Sequence, residues 1–495
     1  MISRMTPLPN TLYYAADVRE LDRIAIQERG IPGIELMNRA GAAVFETILN
    51  RWPRAREVVV FCGGGNNGGD GFVIARLANE RGLRPRLIAL EEVDGLNGDA
   101  RRAWGAARSA GLSLTPYDPA LLKKADVIVD AIFGSGLNRS VSGRYAAVVE
   151  AINASGAPVI AVDVPSGLQV DQGTVLGCAV KADATVTFIG LKVGLLTGQG
   201  PEHCGELLFS DLGVPKDIYN SVDPRAERID WPSLRPLLAR RNRSAHKGHY
   251  GHVLMMGGNH GMAGAARMAA EAAARVGAGL TSVAMRQAYA AAMAAARPEI
   301  MWRGLTDDDT LDDLLSRVTV VAIGPGLGRD DWARQLFDTA VNSSLPLVVD
   351  ADALNLLAEQ PRNRGYWILT PHVGEAARLL QCRPDDINRD RVGAARRLQQ
   401  RFDGVVVLKG AGSIICGEAG DVAICSGGNP GMASGGMGDA LTGIIAGLMA
   451  QGLPFESAAK AGVALHAAAG DEAARGGERG MLAMDLIACL RLLVN

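Results

Sequence analysis

The sequence predicts an α/β protein of two domains, each built on a parallel sheet, from three observations. Short β-rich apolar runs alternate with helical patterns along the whole chain, which is how parallel sheets covered on both faces read in sequence. Glycine is in excess, at 61 of 495 residues against a usual share of about 7%, and it clusters where those runs end. The length allows two to four domains at roughly 100–200 residues each.

In the first half the apolar runs are Val58–Cys62, Arg86–Leu90, Asp126–Phe133, Val159–Val164, Ala184–Ile189 and Glu206–Ser210, with helical patterns such as Gly71–Arg81 and Tyr145–Ala154 between them. The stretch from Gly213 to Lys247 breaks this rhythm with four prolines and the basic run Arg240–Arg243. It reads as a linker leading into the second domain, the basic run being a solvated surface. The pattern restarts at Val253–Met256, Leu280–Met285, Val318–Ile323, Leu345–Asp350, Trp367–Thr370, Val405–Lys409 and Ile414–Cys416. Ala263–Val276 reads as a buried helix, and a final long helix is expected from about Gly438 to Ala450. The glycine signatures of the two halves do not align as a repeat. The expected domains are therefore 1–220 and 228–495.

Composition excludes several classes. Hydrophobic content of 48%, charge of 21% and a net charge of −2 fit a soluble protein and give no reason to expect nucleic acid or an anionic membrane as partner. No run reaches the roughly 18 apolar residues of a membrane span, and residues 1–22 lack the pattern of a secretory signal. The seven cysteines form no CxxC pair and no zinc spacing, as reduced thiols of a cytoplasmic protein would.

The first glycine loop runs Gly63-Gly64-Gly65-Asn66-Asn67-Gly68-Gly69-Asp70-Gly71 behind the strand Val58–Cys62. Gly63, Gly65 and Gly68 satisfy G-x-G-x-x-G between a strand and a helix, the dinucleotide fingerprint of a Rossmann-like domain. Bare N–H groups at a helix start attract phosphate. Asn66, Asn67 and Asp70, however, put polar and acidic side chains where a dehydrogenase loop is mostly small. Two further strands end in carboxylates. Asp130 precedes Gly134-Ser135-Gly136-Leu137-Asn138-Arg139-Ser140, and Asp163 precedes Pro165-Ser166-Gly167. Such ends converge on one sheet edge, where Asn67, Asp130 and Ser166 could offer oxygen ligands to a hard cation.

The second loop, Ala433-Ser434-Gly435-Gly436-Met437-Gly438-Asp439, opens an apolar helix. Consecutive N–H groups make an anion hole, and Asp439 in the first turn can accept a proton from a substrate hydroxyl. Together these are the parts phosphoryl transfer needs, while a G-x-x-x-x-G-K-[ST] loop is absent from the sequence. Lys409-Gly410-Ala411-Gly412-Ser413 follows a strand and suits a nucleotide phosphate or ribose. Gly324–Gly328, Asp350–Asn355 and Thr370–Glu375 also follow strands, and His372 at such an end reads as a substrate contact.

Residues 10–215 resemble the NAD(P)H-hydrate epimerases, through Gly65–Gly71, Val129–Gly136, Asp163–Gly167 and Gly190–Gly194 in order. The resemblance implies that Asn66, Asn67, Gly68, Gly69, Asp70, the Gly134–Ser140 loop and Asp163 contact a hydrated nicotinamide nucleotide. It also implies that Asn67, Asp130 and Ser166 hold potassium, an ion the residues alone do not choose. Residues 228–492 resemble the ribokinase-like ADP-dependent NAD(P)H-hydrate dehydratases, through Lys247-Gly248, Gly257–Asn259, Gly261–Ala265, Gly324–Gly328, Thr370–Glu375, Lys409–Ser413 and Gly435–Asp439. By that likeness Ala266, Gly326, His372 and Asp439 contact the hydrate, and Lys409–Ser413 with Gly438 contact the adenosine nucleotide.

The expected activity is thus bifunctional: epimerisation of NADHX and NADPHX, then dehydration of the S form at the expense of ADP with magnesium. Asp439 is the expected base of the dehydratase. Asp163 is the expected acid/base of the epimerase, with Lys192 as its electrostatic partner. The choice of ADP over ATP comes from the resemblance. The Ala-rich helices also lead us to expect a homo-oligomer. Two other readings fit the loops: a sugar or vitamin kinase fused to a NAD-binding domain, and a nucleotide sensor without catalysis.

Overall fold

The computed structural model describes residues 6–495 and divides the chain into two compact units between Glu227 and Arg228. The first unit carries a six-stranded sheet, every pairing parallel, in the spatial order Glu206–Ser210, Ala184–Phe188, Val159–Val162, Val127–Ala131, Glu57–Cys62, Arg84–Ala89. Its central strands are mostly apolar because both faces are covered. Val58, Val60 and Cys62 enter one core while Val59 and Phe61 enter the other, following the two-residue period of a strand. The strand Glu57–Cys62 pairs on one side with the next strand in sequence and on the other with Val127–Ala131. The connections part at that point, leaving a crevice beyond the strands' carboxyl ends.

The helix after Glu57–Cys62 begins at Asn66, not Gly71, so most of the glycine loop forms its opening turns. Gly68 makes this possible: a Cβ there would sit 2.0 Å from the Gly63 carbonyl oxygen. The proline-rich stretch is also more ordered than a linker. It contains the strand Ala226–Ile229, whose first two residues pair with Thr11 and Leu12.

The second unit orders its strands Met301–Leu305, Leu280–Arg286, His252–Met256, Val320–Ile323, Leu347–Val349, Trp367–Leu369, Val405–Leu408, Ile414–Cys416, Val422–Cys425. The first seven run parallel and the last two turn back antiparallel. Here too the connections part in the middle, between His252–Met256 and Val320–Ile323. The helix Met437–Ala450 is not the last, since Phe455–Ala473 and Ala483–Leu493 follow it. Met437–Ala450 packs directly on Ala263–Arg275. A Cβ on Gly443 would meet the Ala269 carbonyl oxygen at 1.9 Å, so only glycine permits that approach.

Two candidate active sites

In the first unit, a cavity of about 1030 Å³ opens at the crevice and is lined by Asn66, Asn67 and Asp70 from one strand end, Gly134–Arg139 from the next, and Asp163 and Lys192. Every epimerase residue expected to contact substrate is in this lining except Gly68, Gly69 and Ser140. Gly68 and Gly69 are buried in the helix start beneath it, and Ser140 borders a neighbouring hollow of about 330 Å³.

The lysine at position 192 is almost fully buried and its ammonium pairs with the Asp163 carboxylate. It also donates to Thr187 Oγ1 at 2.9 Å and to the Phe188 carbonyl at 3.1 Å. Thr187 donates in turn to Asp163 Oδ1 at 3.2 Å. The backbone here is strained. Asp163 and Ile189 both have positive φ, 64° and 58°. Each sits inside a three-residue turn closed by a short hydrogen bond, Val164 N to the Val162 carbonyl at 2.7 Å and Gly190 N to the Phe188 carbonyl at 2.6 Å. Positive-φ turns of this kind are rare in non-glycine residues and collect at functional sites. They aim Asp163 back into the cavity.

Asp130 and Ser166 are fully buried and joined: Ser166 donates from its hydroxyl to Oδ1 at 2.6 Å and from its amide to Oδ2 at 2.8 Å. Burial still pushes the Asp130 carboxyl up to about 6. Asn67 is 8% exposed, yet neither its amide oxygen nor its amide nitrogen has a partner. An unpartnered buried amide costs free energy unless something outside the protein satisfies it. Its oxygen lies beside the Gly134 backbone, 3.4 Å from where a Cβ would be. Among the described residues, no group of three or more His, Cys, Asp or Glu gathers around a metal. One carboxylate, one amide and one hydroxyl therefore suit a singly charged, oxygen-seeking cation better than a transition metal.

In the second unit the strand ends carry a polar cluster. Lys409 follows Val405–Leu408 and donates to Asp350 Oδ1 at 2.6 Å, with Glu375 Oε2 at 4.0 Å. Thr442, one turn into the helix from Asp439, donates to Asp350 Oδ2 at 2.8 Å. Asp439 stands next to this pair without sharing it. Burial, then the Asp350 charge, pushes its carboxyl up to about 6 despite the opposing pull of Lys409. Gly438 lies against Lys409, since a Cβ on it would be 3.2 Å from Nζ. The Lys409–Ser413 loop is held from behind by Arg391, which donates to the carbonyls of Leu408 and Lys409 at 3.4 and 3.3 Å. Burial pushes that guanidinium down to about 10.

Two expected contacts sit differently from a simple lining. His372 caps its own helix, Nδ1 accepting from Gly374 and Glu375 N–H groups, while Nε2 lies 3.3 Å from Glu375 Oε1. The ring is otherwise more than half exposed. Ala266 is fully buried behind Gly257 and Gly258, beneath the glycine turn rather than on its surface. Gly326 adopts a φ of 59° and packs on Met262 and Ala265. Sequence reasoning missed Thr442, which nothing but its place one turn after Asp439 could flag. It also missed Asp22, which lines the first cavity from the helix Ala15–Arg23. Its signal was a carboxylate beside Val18, Leu21 and Ala25 on the apolar stripe.

Two crevices, each at the carboxyl ends of a parallel sheet, with a glycine-rich helix start and a buried lysine–carboxylate pair, are the arrangement of a two-site nucleotide-handling enzyme. Family models agree unit by unit. "YjeF-related protein N-terminus" matches residues 33–194 and "NAD(P)H-hydrate dehydratase" matches 253–491. The chain is 51% identical to the bifunctional NAD(P)H-hydrate repair enzyme Nnr of Coxiella burnetii over 98% of this chain and 99% of that one. It is 43% identical to the protein of the same name from Escherichia coli, over 99% and 95%. A solved ribokinase-like protein from Enterococcus faecalis covers 54% of the chain and 94% of its own length, with 30% identity and a TM-score of 0.50. The chain belongs to the bifunctional NAD(P)H-hydrate repair enzymes.

Proposed function

We propose that the two units act in series on nicotinamide nucleotides damaged by addition of water at ring carbon C6. The first unit interconverts the R and S epimers and the second dehydrates the S epimer, using ADP and releasing AMP and phosphate. The observation that carries this reading is Asp439, left unpaired at the glycine anion hole while the neighbouring Lys409 is engaged by Asp350.

In the second unit, Asp439 takes the proton of the C6 hydroxyl. The oxygen then attacks the terminal phosphate of ADP, AMP leaves, and the N–H groups at Gly435–Gly438 hold the charge on the moving phosphoryl group. The C6 phosphate departs as the ring nitrogen donates its lone pair, and loss of a C5 proton restores the dihydropyridine. Lys409–Ser413 and Gly438 bind the adenosine nucleotide. Gly326, the outer edge of His372 and the turn above Ala266 position the hydrate. Magnesium bound with ADP would supply charge neutralisation, held mainly by phosphates and water.

In the first unit, the Asn66–Asp70 and Gly134–Ser140 loops hold the hydrate over Asp163, whose carboxylate is fixed by Lys192 and Thr187. Potassium fits at Asn67, Asp130 and Ser166, where it would satisfy the orphaned Asn67 oxygen and offset the Asp130 charge. We place the protein in the cytoplasm, acting on small molecules, as a homo-oligomer. The deciding assay adds ADP to chemically hydrated NADH and follows recovery of the nicotinamide absorbance. Recovery supports repair; a phosphorylated product without recovery would make the second unit a kinase.

A further inference from the structure

The cavity of the first unit holds more proton-carrying groups than Asp163 alone. Asp22 reaches it from the N-terminal helix Ala15–Arg23, and Asp70 from the glycine loop. The helix places Val18 and Leu21 in the core, and the turn after it, Ile24–Glu28, adds Ala25, so Asp22 is drawn to the cavity wall instead of the open surface. Neither carboxyl has a hydrogen-bond donor to offset its burial among the described residues. Burial pushes Asp22 up to about 6, the Asp163 charge adding to the rise and Lys192 opposing it. Burial, then Asp163 and Asp22, pushes Asp70 well above the usual carboxylate range. The one ammonium within this group, Lys192, is already engaged by Asp163, Thr187 and the Phe188 carbonyl. A second observation marks the same wall as ligand-facing: the buried Asn67 amide has no protein partner.

Epimerisation at a carbon bearing a hydroxyl needs an acid as well as a base, because hydroxide is a poor leaving group at neutral pH. Two carboxyls whose surroundings differ in this way divide those roles. Asp163 carries the compensating ammonium; Asp22 and Asp70 do not. Asp70 sits deeper, at the helix start among buried glycines, whereas Asp22 is only half-buried and can exchange its proton with the cavity.

We propose that Asp22 is the general acid of the epimerase site, a catalytic residue opposite Asp163 in role. This rests on the epimerase reading of the first unit. The Asp22 carboxyl proton passes to the C6 hydroxyl oxygen and the C6–O bond breaks. The ring-nitrogen lone pair becomes the N1=C6 double bond, and water leaves. Water then adds to the other face of C6, the double-bond pair returns to nitrogen, and the Asp163 carboxylate takes the extra proton. That proton returns to Asp22 through cavity water, restoring both groups without any outside reagent.

The test uses full-length protein and one purified epimer, with the enzyme-free rate subtracted and epimer ratios read by chromatography without ADP. Asp22→Asn is expected to lower the kcat of epimerisation by about 10²–10³-fold with KM within about 3-fold, and Asp22→Glu to recover part of it. In the wild type, epimerisation should fall as pH rises through about 6, where Asp22 loses its proton, the nearby titratable groups being Asp70, Asp163, Lys192, the cavity-lining Arg19 and Tyr219 from the turn Lys216–Ser221. Because Asp130 is also pushed up to about 6, Asp22→Glu decides the matter if Asp22→Asn does not fold: its pH profile should shift from that of the wild type, and an unshifted profile with unchanged kcat would overturn the assignment. An unchanged kcat in Asp22→Asn, a change in KM alone, or a flat wild-type profile from pH 5 to 8 would overturn the assignment. Failure of the wild type to equilibrate the epimers at any pH would instead overturn the epimerase reading itself.

Discussion

Each unit buries one lysine against one carboxylate, but the partner differs. In the first unit Lys192 pairs with Asp163, the carboxylate that faces the cavity. In the second, Lys409 pairs with Asp350, and the carboxylate at the anion hole, Asp439, is left beside the pair. The difference teaches that a buried cation serves two ends. Paired with the proposed reactive group, Asp163, it fixes that group's position in a strained turn. Paired with a neighbour, it leaves the proposed base, Asp439, poorly solvated and its carboxyl raised. The same contrast makes one site dependent on its ion pair for stability, while the other site stores unfavourable charge.

Asp439→Asn should break the second site alone. ADP-dependent dehydration of the S epimer should fall by about 10³-fold or more, within the span general-base removal reaches, while epimerisation stays within 2-fold or so. Asp163→Asn should do the reverse, lowering epimerisation by about 10²-fold or more and sparing dehydration of the S epimer. Steady-state kinetics of both reactions on both variants check this.

Stability should move in opposite directions. Asp163→Asn strands the buried Lys192 ammonium, and breaking a buried pair costs about 3–5 kcal/mol, which calorimetry would read as a lower Tm for the first unit. Asp439→Asn should raise the Tm of the second unit at pH 8. The raised carboxyl of Asp439 (about 6 against an ordinary 3.8) favours the fold only while it is protonated, and that contribution is lost as pH rises through about 6. The gain from Asp439→Asn should therefore shrink as pH falls below about 6 and vanish only below the ordinary 3.8. Dehydration, needing the carboxylate, should decline in the opposite sense, as pH falls below about 6.

The smallest effect concerns packing. Gly443→Ala should destabilise the second unit by about 1–3 kcal/mol through its clash with the Ala269 carbonyl, as denaturant midpoints would show, with little change in the first unit.

Much of this was legible in the residues. Strand runs such as Val58–Cys62 and Val405–Lys409 are apolar enough to stand out, and most of the chemical motifs follow one of them, while Gly435–Asp439 stands out by opening a helix. What escaped depends on three-dimensional neighbours. Met301–Leu305 is an edge strand whose alternate residues face outward, so its run looks broken. Met437–Ala450 could be seen as a helix, but of the two helices after it Phe455–Ala473 is rich in alanine and lacks a sharp apolar stripe, and Ala483–Leu493 is short. The strain at Asp163 and the isolation of Asp439 from Lys409 are products of tertiary geometry, because one depends on a turn and the other on which carboxylate the lysine reaches first. Asp22 was passed over since a lone acid in a helix ordinarily faces solvent.

The central claim is that two separate sites work in series on one substrate. It is tested most directly by giving an equal mixture of R and S hydrates, with excess ADP, to the wild type and to Asp163→Asn, and following nicotinamide absorbance to completion. The wild type should recover all of the cofactor in one continuous phase. Asp163→Asn should recover the S half at the normal rate and then continue only as fast as the epimers interconvert without enzyme. Complete recovery by Asp163→Asn at the wild-type rate, or equal loss of both phases, would contradict the account.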